Sequence, residues 1–353
     1  AAASLQAYGG AGGHRELARA VTVSAPLGPV HSEKVGPDFC DIAGQANAKW
    51  AAEVAAAGGH HLMMIGPPGS GKSMIASRLP TILPSLTPDQ QVETTAIHSL
   101  TGIPGEVIER APFIAPHSSV TRAPERAPRP DRRGPGPGRL AHTGLLILPP
   151  AREVAAPALD GLRAPLEEGQ VRLARSRREV TYPARFQLVM AANPCRCAAE
   201  EPSKCRCNPH ERMNYLSNLS GPLRDRLDMV VTLSGQAATI NAEGEESSTV
   251  IAERVAIARE RAAARWWADG ISARTNGDVP SSYLRRQRPA ADAAMVMLSA
   301  YLADGEISQR GVDRVLRLSW TLADLEGKKQ PDLDEVGRAL DLRGSINVGR
   351  LAA

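Results

Sequence analysis

Aromatic side chains are scarce in this 353-residue chain, at 3% of residues, so its core must rest on Leu, Val, Ile, Ala and Met. No run of about 18 apolar residues occurs, so no membrane-spanning helix is predicted. The first thirty residues lack the charged start and apolar core of a secretory signal. Five cysteines in a chain of this length do not indicate a disulfide scaffold, and a cytoplasmic protein is expected.

Lysine is also rare, since six of the 42 basic residues are Lys and the others are Arg. The formal net charge of +4 is too small to indicate a nucleic-acid partner by itself. Arginine suits bidentate contacts to phosphate. The combined abundance of Ala, Arg, Gly and Pro is nevertheless explained more simply by a biased genome.

The chain does contain a phosphate-binding signature, between a predicted strand at residues 60–65 and a predicted short helix that Pro80 ends. The signature consists of Gly66, Pro67, Pro68, Gly69, Ser70, Gly71, Lys72 and Ser73. Backbone N–H groups from Gly66 to Lys72 would cradle the phosphates of a nucleoside triphosphate. Lys72 would reach the β- and γ-phosphates, and the Ser73 hydroxyl would bind Mg²⁺. A chance match is the alternative, which the flanking strand and helix disfavour, and nothing in the motif selects ATP over GTP.

Further short apolar segments predict an α/β fold with a parallel sheet. Strands are predicted at residues 144–148, 186–192 and 228–233. Helices are predicted at residues 41–57, 248–267, 289–303, 308–325 and 331–342, so the C-terminal third is expected to be a helical domain.

The predicted domains are a nucleotide-binding domain at residues 36–245 and a helical lid at residues 246–353, preceded by a linker or domain remnant at residues 1–35. Residues 122–139 carry Pro, Arg and Gly without an apolar period and are predicted to be irregular. Their arginines could instead follow a phosphate backbone. These are Arg122, Arg126, Arg129, Arg132, Arg133 and Arg139. No aromatic residue lies between them, so base stacking is not supported, and the irregular segment is the favoured interpretation.

Several longer motifs carry a family resemblance. They are GQANAKWAAEVAAAGGHHLMMIGPPGSGKSMIASRLPTILPSL, LDGLRAPLEEGQV, YPARFQLVMAANPCRC, LSGPLRDRLD and SQRGVDRVLRLSWTLADLEG. Over roughly residues 35–345, apart from 122–139, the chain resembles the Mg-chelatase-like AAA+ proteins of the ComM/YifB type. The resemblance implies an AAA+ α/β domain with a helical lid, assembly into a ring that is expected to be a hexamer, and ATP-driven branch migration of DNA in natural transformation.

Family members carry an N-terminal Lon-protease-like domain, which is expected to be missing here or reduced to residues 1–35. The chain also begins without Met, so an N-terminal portion is expected to be absent. A related branch is the magnesium-chelatase motor subunit, which drives metal insertion into a porphyrin.

The resemblance assigns Asn193, in the AANP motif, to the sensor-1 position, where it would orient the attacking water beside the γ-phosphate. A turn-forming Asn before Pro194 is the alternative. It assigns Arg226 to the arginine finger, which would project into a neighbouring subunit's site. A surface Arg paired with Asp225 or Asp228 is the alternative there.

Arg310, in the SQRG motif, matches the sensor-2 position of the lid, where the resemblance implies contact with the γ-phosphate. An exposed helical Arg is the alternative interpretation.

Two close cysteine pairs, Cys195-x-Cys197 and Cys205-x-Cys207, can complete a tetrahedral Zn²⁺ site with four thiolates. Free thiols on a loop typical of the family are the alternative, and structural zinc is slightly favoured. Cys40 stands alone and is interpreted as a small buried residue.

The chain departs from the family where the second core strand ends. A P-loop ATPase normally has Asp-Glu there, to support Mg²⁺ and polarise water. Aligned without gaps between His142 and Arg163, this chain has Pro149 and Pro150 at those positions. The nearest acid is Glu153. A pair of compensating frameshifts is one hypothesis for such a localised loss of pattern.

Three functions are therefore considered. The first is an ATP- and Mg²⁺-dependent AAA+ ring motor acting on DNA. The second is a hydrolysis-impaired or degraded nucleotide-binding relative, and the third is a magnesium-chelatase motor. The CxC pairs and the LSGPLRDRLD context favour the ComM-like branch over the third. The P-loop predicts that nucleotide binds, and the Pro149-Pro150 pair, which lacks a water-polarising acid, predicts that it is hydrolysed very slowly.

Overall fold

The computed structural model describes residues 36–101, 106–116, 135–148, 161–175, 178–199, 204–208, 210–211, 215, 226–235 and 244–344. The helices in these ranges are α1 Ala46–Gly58, α2 Lys72–Arg78, α3 Pro88–Ser99, α4 Pro137–Leu140, α5 Arg163–Glu168, α6 Ser248–Ala268, α7 Ser281–Arg286, α8 Asp292–Ala303, α9 Gln309–Glu326 and α10 Leu333–Gly344. The strands are β1 Leu62–Ile65, β2 Phe113–Ile114, β3 Leu145–Leu148, β4 Gln170–Arg175, β5 Arg178–Pro183, β6 Gln187–Ala192 and β7 Met229–Thr232.

Five strands form one sheet in the order β2-β3-β6-β1-β7, and every pairing in it is parallel. The central strand β1 pairs with β6 and β7 so that Ile65 lies opposite both Ala192 and Thr232. The predicted α/β class is therefore confirmed. Because the strands are parallel, their carboxyl ends share one edge of the sheet, which is where ligands bind in such folds.

Apart from Gln187 and Thr232, the strands of this sheet are apolar, as expected when both faces of a sheet are covered. Leu62 and Met64 of β1 belong to a core that also contains residues of α1, α6, α9 and α10. Met63 and Ile65 point to the opposite face, into a second core with Leu146 of β3 and others. The C-terminal helices therefore share a core with the sheet.

The helical period predicted for residues 308–325 is confirmed by α9. Its predicted apolar face is buried along its length: Val312, Val315, Leu316, Ser319, Leu322 and Ala323. Ser308 caps this helix by accepting the N–H of Gly311 at 3.1 Å, and Gly327 ends it in the left-handed conformation. None of the described helices is both long and apolar enough to cross a bilayer.

The first predicted helix, residues 41–57, was placed too early. A short 3-10 turn at Phe39–Asp41 comes first, and α1 begins at Ala46. Gly44 and Gln45 between them have φ angles of +66° and +54°, in the left-handed region, and these break the helix before it starts.

The irregular segment predicted at residues 122–139 was drawn too long at its C-terminal end. Residues 122–134 lie outside the described residues, as do 1–35, Pro149, Pro150 and Glu153. Arg139 lies in α4 and is buried, with its guanidinium 3.6 Å from the centroid of the Tyr182 ring. This stacking holds Arg139 inside the protein, so it does not follow a phosphate backbone with the preceding arginines.

An antiparallel hairpin was not anticipated. Strands β4 and β5 pair from Gln170 opposite Pro183 to Arg175 opposite Arg178. The hairpin stands between α5 and β6, outside the main sheet. Alternation of apolar residues in the sequence, at Val171 and Leu173 and again at Val180 and Tyr182, is the signal that could have predicted it.

Candidate nucleotide-binding site

The P-loop leaves the carboxyl end of β1 at Gly66 and wraps into the first turn of α2. Gly69 and Gly71 have φ angles of +75° and +89°, which side chains rarely allow, and a Cβ at either position would meet nothing within 4 Å. These two glycines are therefore required by the backbone conformation of the loop and not by crowding around it. At Gly66 the opposite holds, because a Cβ would come within 2.6 Å of Ser70 Oγ and 2.9 Å of the Leu233 carbonyl oxygen.

The ammonium group of Lys72 points back into the P-loop, where it makes hydrogen bonds. Its Nζ donates to the carbonyl oxygens of Gly66 at 2.7 Å and Pro67 at 2.6 Å, and to Ser70 Oγ at 3.3 Å. The side chain is buried, and burial lowers the pKa of this ammonium. A phosphate group placed in the loop would stabilise the buried charge better than neutral carbonyls can. Ser73, one residue further on in α2, is exposed.

Asn193 follows the last residue of β6 directly, beside the P-loop. The N–H of Gly66 donates to the carbonyl oxygen of Ala192 at 3.1 Å, which ties the start of the loop to the end of β6. The structure therefore brings the predicted sensor-1 residue to the same edge of the sheet as the predicted phosphate site.

The end of β3 reaches that edge too. Leu148, its last residue, pairs with Met190 of β6. Pro149 and Pro150 come next in the sequence, where the Mg²⁺-supporting acid and the water-polarising acid were expected. Their conformation lies outside the described residues.

The two predicted catalytic arginines meet at one carboxylate. Arg226 Nη2 forms an ion pair with Glu167 Oε1 at the C-terminal end of α5, and Arg310 Nη2 lies 3.9 Å from the same oxygen. The Arg226 side chain is 9% exposed, whereas that of Arg310 is 61% exposed. The hydrogen bond from Arg226 lowers the pKa of the Glu167 carboxyl. Arg226 is thus buried beside Glu167, unlike the surface arginine of the alternative interpretation.

This cluster lies at the amino edge of the sheet, opposite the P-loop. Asp228, two residues after Arg226, accepts the N–H of His61 at 2.8 Å, and His61 immediately precedes β1. Arg314, one helical turn after Arg310, donates to Asp228 Oδ1 at 2.7 Å. Because β1 has four residues, the two edges are about 13 Å apart. Arg310 therefore lies on the side of the sheet away from this chain's own P-loop.

Asp228 and Arg314 join the helical domain to the sheet, and neither was singled out from the sequence. Burial opposes ionisation of Asp228, but the charge of Arg314 holds the pKa of this carboxyl well below its usual range. Asp228 is buried, with 2% of its side chain exposed, and Arg314 is half-buried, at 15%. The spacing of four residues between Arg310 and Arg314, which places both on one helix face, is the signal that could have linked them.

All four predicted zinc ligands come together on the loop after Asn193. The ligand atoms of Cys195, Cys197, Cys205 and Cys207 lie within 4.8 Å of one another, and each of the four is a free cysteine. Hydrogen bonds from the Cys195 thiol and from the backbone N–H groups of Arg206 and Ala199 lower the pKa of the Cys197 thiol to about 6. Cys40 is separate from this group and is half-buried.

Comparison with known families matches nearly all of the described chain. The family model for magnesium chelatase, subunit ChlI, matches residues 38–240, and the model for the C-terminal part of subunit ChlI matches residues 245–343. The order of the two matches is the order of the sheet and the C-terminal helices in this structure.

Individual relatives agree with the family models. The chain is 47% identical over 310 residues to the uncharacterized protein Rv2897c of Mycobacterium tuberculosis, covering 87% of this chain and 61% of the relative. It is 36% identical over 299 residues to YifB of Escherichia coli, covering 82% and 57%. It is 34% identical over 319 residues to competence protein ComM of Haemophilus influenzae, covering 88% and 61%. The chain spans about 60% of the length of these relatives, and it belongs, with YifB and ComM, to the Mg-chelatase-like family of AAA+ proteins.

Proposed function

We propose that this chain binds ATP with Mg²⁺ and assembles into a ring in which each nucleotide is shared by two neighbouring chains. The observation that carries the proposal is the separation of the site into two halves. The P-loop and Asn193 lie at the carboxyl edge of the sheet, whereas Arg226 and Arg310 lie at the amino edge.

The carboxyl-edge half supplies the groups that bind a triphosphate. The left-handed conformations of Gly69 and Gly71 would let the loop wrap closely around the phosphates and present its backbone N–H groups to them, and Lys72 supplies the buried positive charge. The exposed Ser73 hydroxyl would be a ligand of Mg²⁺, whose role when bound is to neutralise charge on the phosphate oxygens. Asn193 would hold the water that faces the γ-phosphate.

The amino-edge half supplies cations that this chain's own P-loop cannot use. Arg310 is exposed and close to Arg226, and both share Glu167. A neighbouring chain whose P-loop docked on this edge would receive two arginines, which would favour assembly when its site holds ATP. A closed ring is the form of such a head-to-tail contact that leaves no chain without a partner.

We propose further that turnover is very slow. Pro149 and Pro150 can neither support Mg²⁺ through a carboxylate nor polarise water. The binding contacts of Lys72 and the backbone remain, so nucleotide would drive assembly with little hydrolysis. Action on DNA is proposed from the family resemblance, with ComM described as a competence protein. If the chain instead hydrolyses ATP at a rate typical of AAA+ motors, an ATP-driven DNA motor is the proposed function, in place of assembly that nucleotide binding alone controls.

Mixing two complementary variants tests the shared site. A Lys72→Ala chain keeps its arginines, and an Arg226→Ala/Arg310→Ala chain keeps its P-loop. We expect neither alone to form an ATP-dependent assembly in sedimentation velocity, because every interface lacks one half-site. A mixture should recover part of the assembly, because some interfaces combine two intact halves. Arg286→Ala, which removes an exposed arginine of α7, is the control.

If the mixture forms no more ATP-dependent assembly than the two variants form separately in total, the proposal of a shared site is overturned. The proposed action on DNA is tested separately, by measuring binding and unwinding of a branched DNA with and without ATP. ATP-independent binding or none would overturn the motor assignment and leave the shared nucleotide site intact.

A further inference from the structure

Four cysteine sulfurs converge on the loop that follows β6, and this arrangement goes beyond the nucleotide site. Cys195 Sγ lies 3.2 Å from Cys197 Sγ and 3.5 Å from Cys205 Sγ, and the last two are 3.6 Å apart. Cys207 belongs to the same group. We propose that these four thiolates bind one structural Zn²⁺.

The distances fit a shared metal better than they fit disulfides. A Zn–S bond of about 2.3 Å in tetrahedral geometry places two sulfurs about 3.8 Å apart. A disulfide would require about 2.05 Å, and all four residues are free thiols. The three mutual distances near the tetrahedral value would let one ion contact Cys195, Cys197 and Cys205, and the Cys207 sulfur lies within 4.8 Å of these three to complete the set. Tetrahedral coordination by four sulfurs selects Zn²⁺ over oxygen-seeking cations such as Mg²⁺ or Ca²⁺.

The surroundings of the sulfurs suit a site of net negative charge. Four thiolates and one Zn²⁺ carry a formal charge of about −2. Three basic residues alternate with or adjoin the cysteines in the sequence: Arg196, Lys204 and Arg206. Backbone N–H groups of Ala199 and Arg206 also donate to the Cys197 sulfur. Such N–H donors partly neutralise a thiolate and orient it toward a metal.

The position of the cluster gives the metal a structural role. Cys195 is buried, at 3% exposure, and is two residues after Asn193. Cys205 comes eight residues after Cys197 in the sequence, so one ion would link the two cysteine pairs across the segment between them. A bound metal would therefore hold the end of β6, and Asn193 with it, in a single conformation.

Metal content tests the proposal directly. The full chain is purified under reducing conditions, loaded with Zn²⁺, dialysed and analysed by elemental mass spectrometry. We expect about one Zn²⁺ per chain. Cys195→Ser and Cys205→Ser should each reduce retained zinc at least tenfold. Cys40→Ser, which removes the remaining cysteine, should retain as much zinc as the unchanged chain.

Cobalt substitution provides a second readout that needs no variant. Co²⁺ bound by four thiolates should give the intense d–d and charge-transfer bands of tetrahedral sulfur coordination, and added Zn²⁺ should abolish them. Weak octahedral bands, or sub-stoichiometric zinc in the unchanged chain, would overturn the proposal. Equal zinc loss in Cys40→Ser and Cys195→Ser would overturn it too. A chain that holds iron instead, with sulfide, would show that the cluster is not a zinc site.

Discussion

Arg226 and Glu167 form an ion pair that fixes the segment before β7 to the C-terminal end of α5. The same carboxylate lies 3.9 Å from Arg310 of α9, so one acid neutralises cations from two parts of the chain. In an isolated chain the pair keeps Arg226 buried. In a ring, the phosphates of a neighbour's nucleotide would compete with Glu167 for both arginines.

Removal of the Glu167 charge tests what this pair contributes to stability. Glu167→Gln leaves the buried Arg226 guanidinium without its carboxylate, and we expect the free energy of unfolding to fall by about 1–2 kcal/mol. Glu168→Gln is a matched control, because Glu168 forms an exposed ion pair with Arg172 at 2.9 Å and a long hydrogen bond with Gln170 at 3.4 Å, and such exposed contacts are worth at most about 0.5 kcal/mol. Urea denaturation of both variants measures the difference. Equal losses would show that Glu167 acts as an ordinary surface acid.

His61 predicts a loss of stability in mild acid. Its Nδ1 accepts the N–H of Leu188 at 3.1 Å, and burial lowers the pKa of this imidazole to about 4. Between about pH 6.5 and pH 4 the unfolded chain binds more protons than the folded chain, so stability falls as pH falls. We expect His61 to account for about 1–2 kcal/mol between pH 7 and pH 5.

His61→Gln is the appropriate comparison, because a Gln carbonyl oxygen can accept the same N–H without titrating. Chemical denaturation at both pH values should show a smaller decrease for the variant than for the unchanged chain. The same decrease in both would assign the acid sensitivity to other groups.

Substitution of Gly66 by Ala is expected to weaken nucleotide binding for a steric reason. In Gly66→Ala the new methyl would meet Ser70 Oγ and the Leu233 carbonyl. The hydroxyl can rotate away but the backbone cannot, so the P-loop must shift. We expect nucleotide affinity, measured by calorimetry, to fall at least tenfold. Gly305→Ala is the control: unlike Gly66, Gly305 has a positive φ, +71°, but a Cβ there would meet no atom within 4 Å. It should cost about 1 kcal/mol of stability and leave affinity unchanged; a matching affinity loss there would contradict the steric explanation.

The buried elements of the fold were the part most accessible from the sequence. Each predicted strand at residues 60–65, 144–148, 186–192 and 228–233 corresponds to an observed one, because a strand covered on both faces must be apolar throughout. The start of α1 was misplaced because the left-handed conformation of Gln45 depends on its surroundings and has no composition signal.

The site was predictable as a list of residues but not as an arrangement. The P-loop and Asn193 adjoin in space because the ends of neighbouring parallel strands must meet. The location of Arg226 and Arg310 at the opposite edge depends on how α9 docks through Arg314 and Asp228, a contact between residues 86 positions apart. No local pattern encodes such a contact. The partner Glu167 was missed for the same reason.

Replacing the two prolines after β3 with acids is expected to raise the rate of ATP hydrolysis. Pro149→Asp/Pro150→Glu would restore one acid to support Mg²⁺ and another to polarise water. We expect the ATPase rate to rise by about 10²–10⁴-fold, the range of a positioned general base. Pro149→Ala/Pro150→Ala is the control for loss of the proline rings. A rise of the same size in that control would mean that backbone restriction, rather than missing acids, limits the rate.

The P-loop of this chain is proposed to bind nucleotide, and the chain is proposed to hydrolyse it very slowly because Pro149 and Pro150 stand where two acids are expected. The most direct test of this proposal measures nucleotide affinity and ATPase rate on one preparation of the chain, beside Lys72→Ala and the exposed-lysine control Lys329→Ala. The account predicts tight binding that Lys72→Ala weakens at least tenfold and Lys329→Ala preserves, with turnover far below about 1 s⁻¹, the low end of typical enzymes. Turnover of about 1 s⁻¹ or more that Lys72→Ala abolishes, or the absence of nucleotide binding, would contradict it.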